Sequence, residues 1–278
     1  MEIRSMKVKL LSILLLSALL SACGGDDNNG GSAPASGNGT TTGTGGGTST
    51  PGTTTPGSTA AGSDSGDCYS NVALYTTGNT YQVDLQGLDS SGAVVLTTSN
   101  RYTVNGSTTF KGNPATELQV DTTVTSGIGA GSTTQVKNYT RLDSNEAVTF
   151  GQISLVGAQG LAVSTTSAFD PALRKPYILP LNTPRSYTYT VSFESMVATS
   201  PSSPQTLKET FLGTETISVP AGSFKACKLS SETTMDGTTT QAIQWTVAEG
   251  PYRGLFLQSA DGNGTVTARA TLLRFNGS

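Results

Sequence analysis

Cys23, Cys68 and Cys227 are the only thiols in a chain of 278 residues that contains no histidine. A chain without histidine cannot assemble a Ser-His-Asp triad, a Cys-His pair, or a histidine-based zinc or copper site. No Cys-x-x-Cys spacing marks a redox pair. Carboxylates alone can hydrolyse glycosides, since two acids suffice. Here Glu194, Glu209, Glu215, Glu232 and Glu249 are spread over alternating segments without distinctive neighbours, and most read as solvated sheet faces. Asp261-Gly262-Asn263-Gly264-Thr265 opens like a calcium loop, but its twelfth position is Leu272 where a bidentate Glu is required, so a hairpin turn is expected. Gly127-Ile128-Gly129-Ala130-Gly131 lacks the strand-to-helix setting that cradles phosphate and reads as a hairpin loop. The residue inventory therefore assigns no catalytic group, no cofactor and no metal site.

The thiol with the most informative surroundings is Cys23. Arg4, Lys7 and Lys9 make a basic start, followed by an almost wholly apolar run from Leu10 to Leu20. Eleven helical residues rise only about 16 Å, against the ~20 residues a spanning helix needs. The run fits the hydrophobic core of a signal peptide over residues 1–22. It ends in Leu20-Ser21-Ala22-Cys23-Gly24, which resembles the lipobox of bacterial lipoproteins. That resemblance implies a diacylglycerol on the Cys23 thiol, cleavage before Cys23, and often an acylated amine, with palmitate among the chains. Two or three chains on one residue would hold the protein at a membrane, where one chain binds only marginally. In that family an Asp directly after the cysteine retains the protein in the inner membrane. Gly24 in that place implies the outer membrane if the host is Gram-negative.

Residues 24–66 contain no aromatic residue and no Leu, Ile, Val or Met. Such a segment cannot bury enough apolar surface to offset the entropy of ordering it, so with Cys23 it reads as a disordered tether over 23–66. As a flexible coil it would span about 36 Å root-mean-square. From Cys23 onward the chain carries 13 Lys and Arg against 18 Asp and Glu. A mildly acidic chain without a basic run argues against nucleic acid as a partner.

With Cys23 assigned to lipid, Cys68 and Cys227 remain as the only pair. The compartment outside the inner membrane is oxidising, and a disulfide between them is the natural reading, with two free thiols as the alternative. It would pin the beginning of the folded part, residues 67–278, to a strand near its end. Within that part alternation at period two dominates. Tyr81, Val83 and Leu85 fall on one face, as do Leu118, Val120, Thr122 and Val124, then Tyr189, Val191, Phe193 and Val197. Ile243, Trp245 and Val247 form a fourth apolar set, with Ala242, Gln244 and Thr246 on the other side. Turn signals separate the strands: Asp89-Ser90-Ser91-Gly92, Asp143-Ser144-Asn145, Asp236-Gly237 and Asp261-Gly262. Phe169 to Pro184, with four prolines, reads as a long crossing connection.

The expected fold is all-β: one large curved antiparallel sheet of about twelve strands, a half-barrel or open barrel. Two related halves are suggested. The run from Phe110 through Leu118, then Tyr139 and Gly151, is matched by Val219 through Leu229, then Trp245 and Gly254. The alternative is that Thr-rich hairpins simply resemble one another. The run Val219-Pro220-Ala221-Gly222-Ser223-Phe224-Lys225-Ala226-Cys227 followed by Trp245 resembles a pattern in envelope lipoproteins with the half-barrel of the carriers LolA and LolB. That resemblance covers about 60 residues and implies a curved sheet around an apolar groove, although the helical lid segments of those carriers are missing here. The functional expectation is a non-catalytic envelope lipoprotein, joined to the membrane by its lipid anchor, whose β domain binds an apolar, lipid-like ligand or serves a structural role. The alternative is a surface-exposed glycan- or protein-binding module, for which Tyr139, Trp245 and Tyr252 would supply an aromatic face.

Overall fold

The computed structural model describes residues 63–158, 161–195 and 199–276. The signal peptide, Cys23, the tether up to residue 62, and Val197 lie outside the described residues. Twelve antiparallel strands follow one another. The first four are β1 (Thr80–Leu88), β2 (Val94–Phe110), β3 (Asn113–Gly127) and β4 (Thr133–Leu142). Next come β5 (Glu146–Ala158), β6 (Leu161–Pro176), β7 (Arg185–Ser195) and β8 (Thr199–Val219). The last are β9 (Gly222–Met235), β10 (Thr238–Val247), β11 (Phe256–Asp261) and β12 (Val266–Phe275). Each pairs with its sequence neighbour, and β12 pairs with β1, so the sheet goes beyond a curved or half-open form and closes into a barrel. Closure leaves none of the twelve strands at a sheet edge, although the β2–β3 and β8–β9 hairpins run on past β1 and β7.

The turns sit where the sequence signals them, and the reason is local. Asp89 Oδ1 accepts from the backbone N–H of Ser91 and Ala93, and Asp261 Oδ1 accepts from Asn263 and Thr265. Each carboxylate thereby satisfies turn amides that no strand can pair.

Alternation gives the barrel a filled side and a wet wall. Inside, Tyr81 stacks on Tyr102 at 4.4 Å and faces Phe275 at 6.4 Å, with Val83, Leu118 and Leu273 buried beside them. Asn100 is also buried there, and its amide donates to the Val83 carbonyl at 2.9 Å while its oxygen accepts from Thr122. Burial lifts the Tyr102 phenol to about 12. Outside, the register puts Asp84, Arg101, Asp121 and Lys137 on the wall at mid-strand. A membrane-spanning barrel carries an apolar band at that level. At these four positions the wall carries charge instead.

The two halves of six strands share one plan of irregularities. In β2, Asn105 is an extra residue between Val104 and Gly106; in β8, Leu212 is extra between Phe211 and Gly213. Both glycines adopt the positive φ that such a bulge demands (101° and 110°). Across the sheet Gly106 aligns with Glu117, Tyr139 and Gly151, while Gly213 aligns with Lys228, Trp245 and Gln258. Phe150 and Leu257 are then the extra residues of β5 and β11. The counterpart of Gly151 is therefore Gln258, and the sequence match to Gly254 is corrected. Gly254 belongs to the loop after β10, where it repeats the glycine but not the register.

Beyond these bulges the β2–β3 and β8–β9 hairpins bend over the outer wall. Phe110 stacks on Tyr139 at 4.5 Å, and the Ala221 amide donates to the Ala270 carbonyl of β12. The wall aromatics are buried as a result: Tyr139 is 5% and Trp245 7% exposed.

One sequence expectation changes here, and the buried face of β10 proves to lie outside the lumen. Phe169–Pro184 is not one long connection, because β6 runs to Pro176. Pro171 is tolerated because the β5 register jumps from Ala168 to Leu173 and pairing with β7 ends at Asp170, so no ladder needs its N–H. Ile243, Trp245 and Val247 do not face the lumen. Gln244 and Thr246 do, and the apolar set is covered from outside in one cluster with Val219 and Ala226.

Candidate functional site

One end of the barrel is crossed by the chain that precedes β1. Ser63 and Ser65 already belong to this fold. The Ser65 amide donates to the Leu179 carbonyl at 2.8 Å, the Leu179 amide donates to Ser65 Oγ at 2.9 Å, and the Leu181 amide donates to the Ser63 carbonyl. Two short 3-10 turns follow, Gly66–Tyr69 and Val72–Tyr75. Asn71 caps the second by accepting from the Ala73 amide, and its own amide donates to the Arg253 carbonyl at 2.7 Å on the far side. A disulfide joins Cys68 to the fully buried Cys227 of β9, with Cα atoms 6.1 Å apart. The crossing ends where the Gly78 amide donates to the Val104 carbonyl. The chain before β7 repeats this: Asn182 donates to Phe211, the residue that matches Val104. Two related lead-ins thus meet under the barrel and close that end.

Above this floor the lumen between β4 and β10 holds a cavity of about 260 Å³. Leu74, Phe169, Leu173, Leu179, Leu207 and Leu229 give it an apolar lining. Polar side chains, among them Asn138, Gln152 and Gln244, interrupt this lining, and one ion pair stands among them. Glu209 of β8 is 4% exposed, and its Oε1 is 2.6 Å from Lys175 Nζ at the end of β6. Glu209 Oε2, the Tyr69 hydroxyl and Thr246 Oγ1, all in lining residues, have no hydrogen-bond partner within the protein. The Tyr187 hydroxyl beside them is also shut from solvent and unpartnered. Burial, and then the Glu209 charge, push the Tyr69 phenol far above its ordinary value; the same two causes lift Tyr187 to about 12. Both phenols therefore stay neutral donors at any physiological pH. A mostly apolar chamber with a few convergent polar groups is the usual form of a small-molecule site.

Cys68 and Cys227 are thus brought together, at the chamber's floor. Glu194, Glu215, Glu232 and Glu249 lie on the outer wall in ion pairs with Lys111, Lys228, Lys208 and Lys225. Glu209 alone of that set turns inward. Sequence reasoning missed its role, and that of Lys175, although the alternation Gln205, Leu207, Glu209, Phe211 carried the signal. Tyr139 and Trp245 are covered by the hairpins and Tyr252 is half-buried, so the three do not form an open aromatic face. Among the described residues no three His, Cys, Asp or Glu side chains converge as metal ligands would.

No protein-family model and no curated protein matches the chain. Among solved structures it is similar to a candidate lipoprotein of Parabacteroides distasonis ATCC 8503, with 17% identity and a TM-score of 0.40. It is also similar to a candidate exported protein with a YmcC-like fold from Bacteroides fragilis NCTC 9343, with 11% identity and a TM-score of 0.41. Each match covers 72% of this chain and 96% of the other.

Proposed function

We propose that this protein is a non-catalytic envelope lipoprotein, anchored to the outer membrane through Cys23, whose barrel binds a small apolar molecule or the end of a longer one. The chamber carries this reading: it is partly enclosed, largely apolar and floored by a dedicated crossing segment. A barrel that served only as a structural part would gain stability by filling that space with side chains. The charged outer wall supports a domain held in water beside the membrane, with the anchor supplied elsewhere in the chain. The whole-chain absence of histidine supports a binding role over hydrolysis. The rival glycan- or protein-binding reading loses its aromatic platform, because Tyr139 and Trp245 are buried.

Two measurements test this. Detergent phase partition of the wild-type chain and of Cys23→Ser should send the first to the detergent phase and the second to water; equal partition would end the anchor reading. Native mass spectrometry of the full chain carrying Cys23→Ser, purified without detergent, should show a bound apolar species. Protein free of any ligand, and unchanged after incubation with medium-chain amphiphiles, would leave the chamber without a binding role.

A further inference from the structure

We infer that the Lys175–Glu209 end of the chamber receives an uncharged, hydroxyl-bearing head group carried on an apolar body. This rests on the reading of the chamber as a binding site and specifies its ligand. The pair is already neutral within itself, since Lys175 Nζ lies 2.6 Å from Glu209 Oε1. A head group with a net charge would be buried there without a counter-charge, and its desolvation would go unrepaid. What the pair leaves over is one strong acceptor, Glu209 Oε2, and one neutral donor from the floor, the Tyr69 hydroxyl, both cut off from solvent and unpartnered within the protein. Leaving such groups unmet costs stability, so a ligand that satisfies either is favoured. A hydroxyl can meet either role, because it donates one hydrogen and accepts on its lone pairs. A carboxylate can only accept and meets the charge of Glu209; an ammonium can only donate and meets that of Lys175.

The volume limits the body. A cavity of about 150 Å³ takes up benzene, with six heavy atoms, so about 260 Å³ accommodates roughly ten. Suitable probes are therefore octan-1-ol, octanoate and octylamine, which share one chain and differ in head charge at neutral pH.

The test is equilibrium dialysis of the three probes against the full chain carrying Cys23→Ser, with folding of each variant checked by circular dichroism. The wild-type lumen should bind octan-1-ol at least roughly tenfold more tightly than either charged probe. Glu209→Gln leaves Lys175 as an unpaired cation and should raise the octanoate-to-octanol affinity ratio by roughly tenfold or more; Lys175→Met should do the same for octylamine. The wild-type ranking needs no variant, so misfolding of either mutant does not shelter the inference. Octanoate or octylamine binding the wild type as tightly as octan-1-ol would overturn it while leaving the chamber reading intact. So would folded variants that keep the wild-type ranking. Failure of all three probes to bind would overturn the chamber reading together with this one.

Discussion

In the first six strands the wall aromatic is Tyr139, and its hydroxyl donates to Glu117 Oε2 at 3.1 Å across the β3–β4 pair. Phe110 of the overhanging hairpin covers it, and Gly151 behind it leaves room for the Phe110 ring. In the last six strands the same register position is Trp245, whose Nε1 donates to Glu215 Oε1 at 2.6 Å. Lys228, the counterpart of Glu117, lies 5.1 Å over the indole and 3.3 Å from that same carboxylate. The two halves thus place an aromatic at equivalent points, but its acid comes from β3 in one and from β8 in the other, once for an ionisable phenol and once for an indole. They also differ below the bulge, where Cys227 of β9 carries the disulfide and its counterpart in β3 is Thr116. One plan of bulges can evidently be locked by different chemistry, because the plan fixes where side chains meet and not what they are.

Removing the disulfide should break the comparison most. It closes a separation of 159 residues, for which the chain-entropy model gives a ceiling of about 5 kcal/mol. Cys227→Ser should lose a large part of this in urea unfolding, while Thr116→Ser stays within about 0.5 kcal/mol. A loss under about 1 kcal/mol for Cys227→Ser would mean that hydrogen bonds alone hold the floor.

Trp245→Ala should cost about 3–5 kcal/mol, with Tyr139→Ala close behind, because each empties a site that its hairpin has sealed. A negligible cost for one of them would show that its hairpin does not pack as described.

Gly151 and Gln258 sharpen the point. A Cβ on Gly151 would sit 2.2 Å from the Ser167 carbonyl oxygen and 2.8 Å from the Phe110 ring. Gly151→Ala should therefore cost about 1–3 kcal/mol by overpacking, whereas Gln258→Ala should lie within about 0.5 kcal/mol. Equal costs measured by thermal unfolding would dissolve the difference.

Alkaline pH should separate the halves more gently. Burial, then the charge of Glu117 and the hydrogen bond to it, raise the Tyr139 phenol to about 12, above the ~10 of an unfolded chain. Its contribution is complete below pH ~10 and is lost as pH climbs through about 12, since the unfolded phenol gives up its proton first. With solvent screening the loss should stay under about 1 kcal/mol per pH unit. Trp245 has no such group and is the only tryptophan, so its fluorescence reports the second half alone. Phenolate absorbance assigned by difference from Tyr139→Phe should appear before the Trp245 emission shifts. The reverse order would contradict the assignment.

Smallest is the Lys111–Glu194 bridge between the first hairpin and β7. Both partners are well exposed, so Lys111→Ala should change stability by less than about 1 kcal/mol.

Much of this was legible beforehand for identifiable reasons. Asp89 and Asp261 satisfy their own turn amides, and Asp236-Gly237 takes the positive φ of a tight turn, so these hairpins could be placed. Tyr81, Val83 and Leu85 alternate with strongly polar neighbours, so their inward face was plain. Glu209 was harder, because an acid between Leu207 and Phe211 reads as an outlier until the strand opposite supplies Lys175. Lys175 itself was hidden among prolines that suggested no strand at all.

By itself the sequence determined the all-β class, several of the turns and the two-faced alternation, since each depends on residues close together in the chain, and composition alone excluded histidine chemistry. Tertiary structure decided which face of β10 turns inward, because period two guarantees two faces without naming the inner one, and an overhanging hairpin can bury either. It also decided closure, since whether β12 meets β1 depends on twist and stagger summed around twelve strands. Lastly, it brought together Lys175, Glu209 and Tyr69, which are distant in sequence and belong to one chamber only because the barrel wraps three separate segments around it.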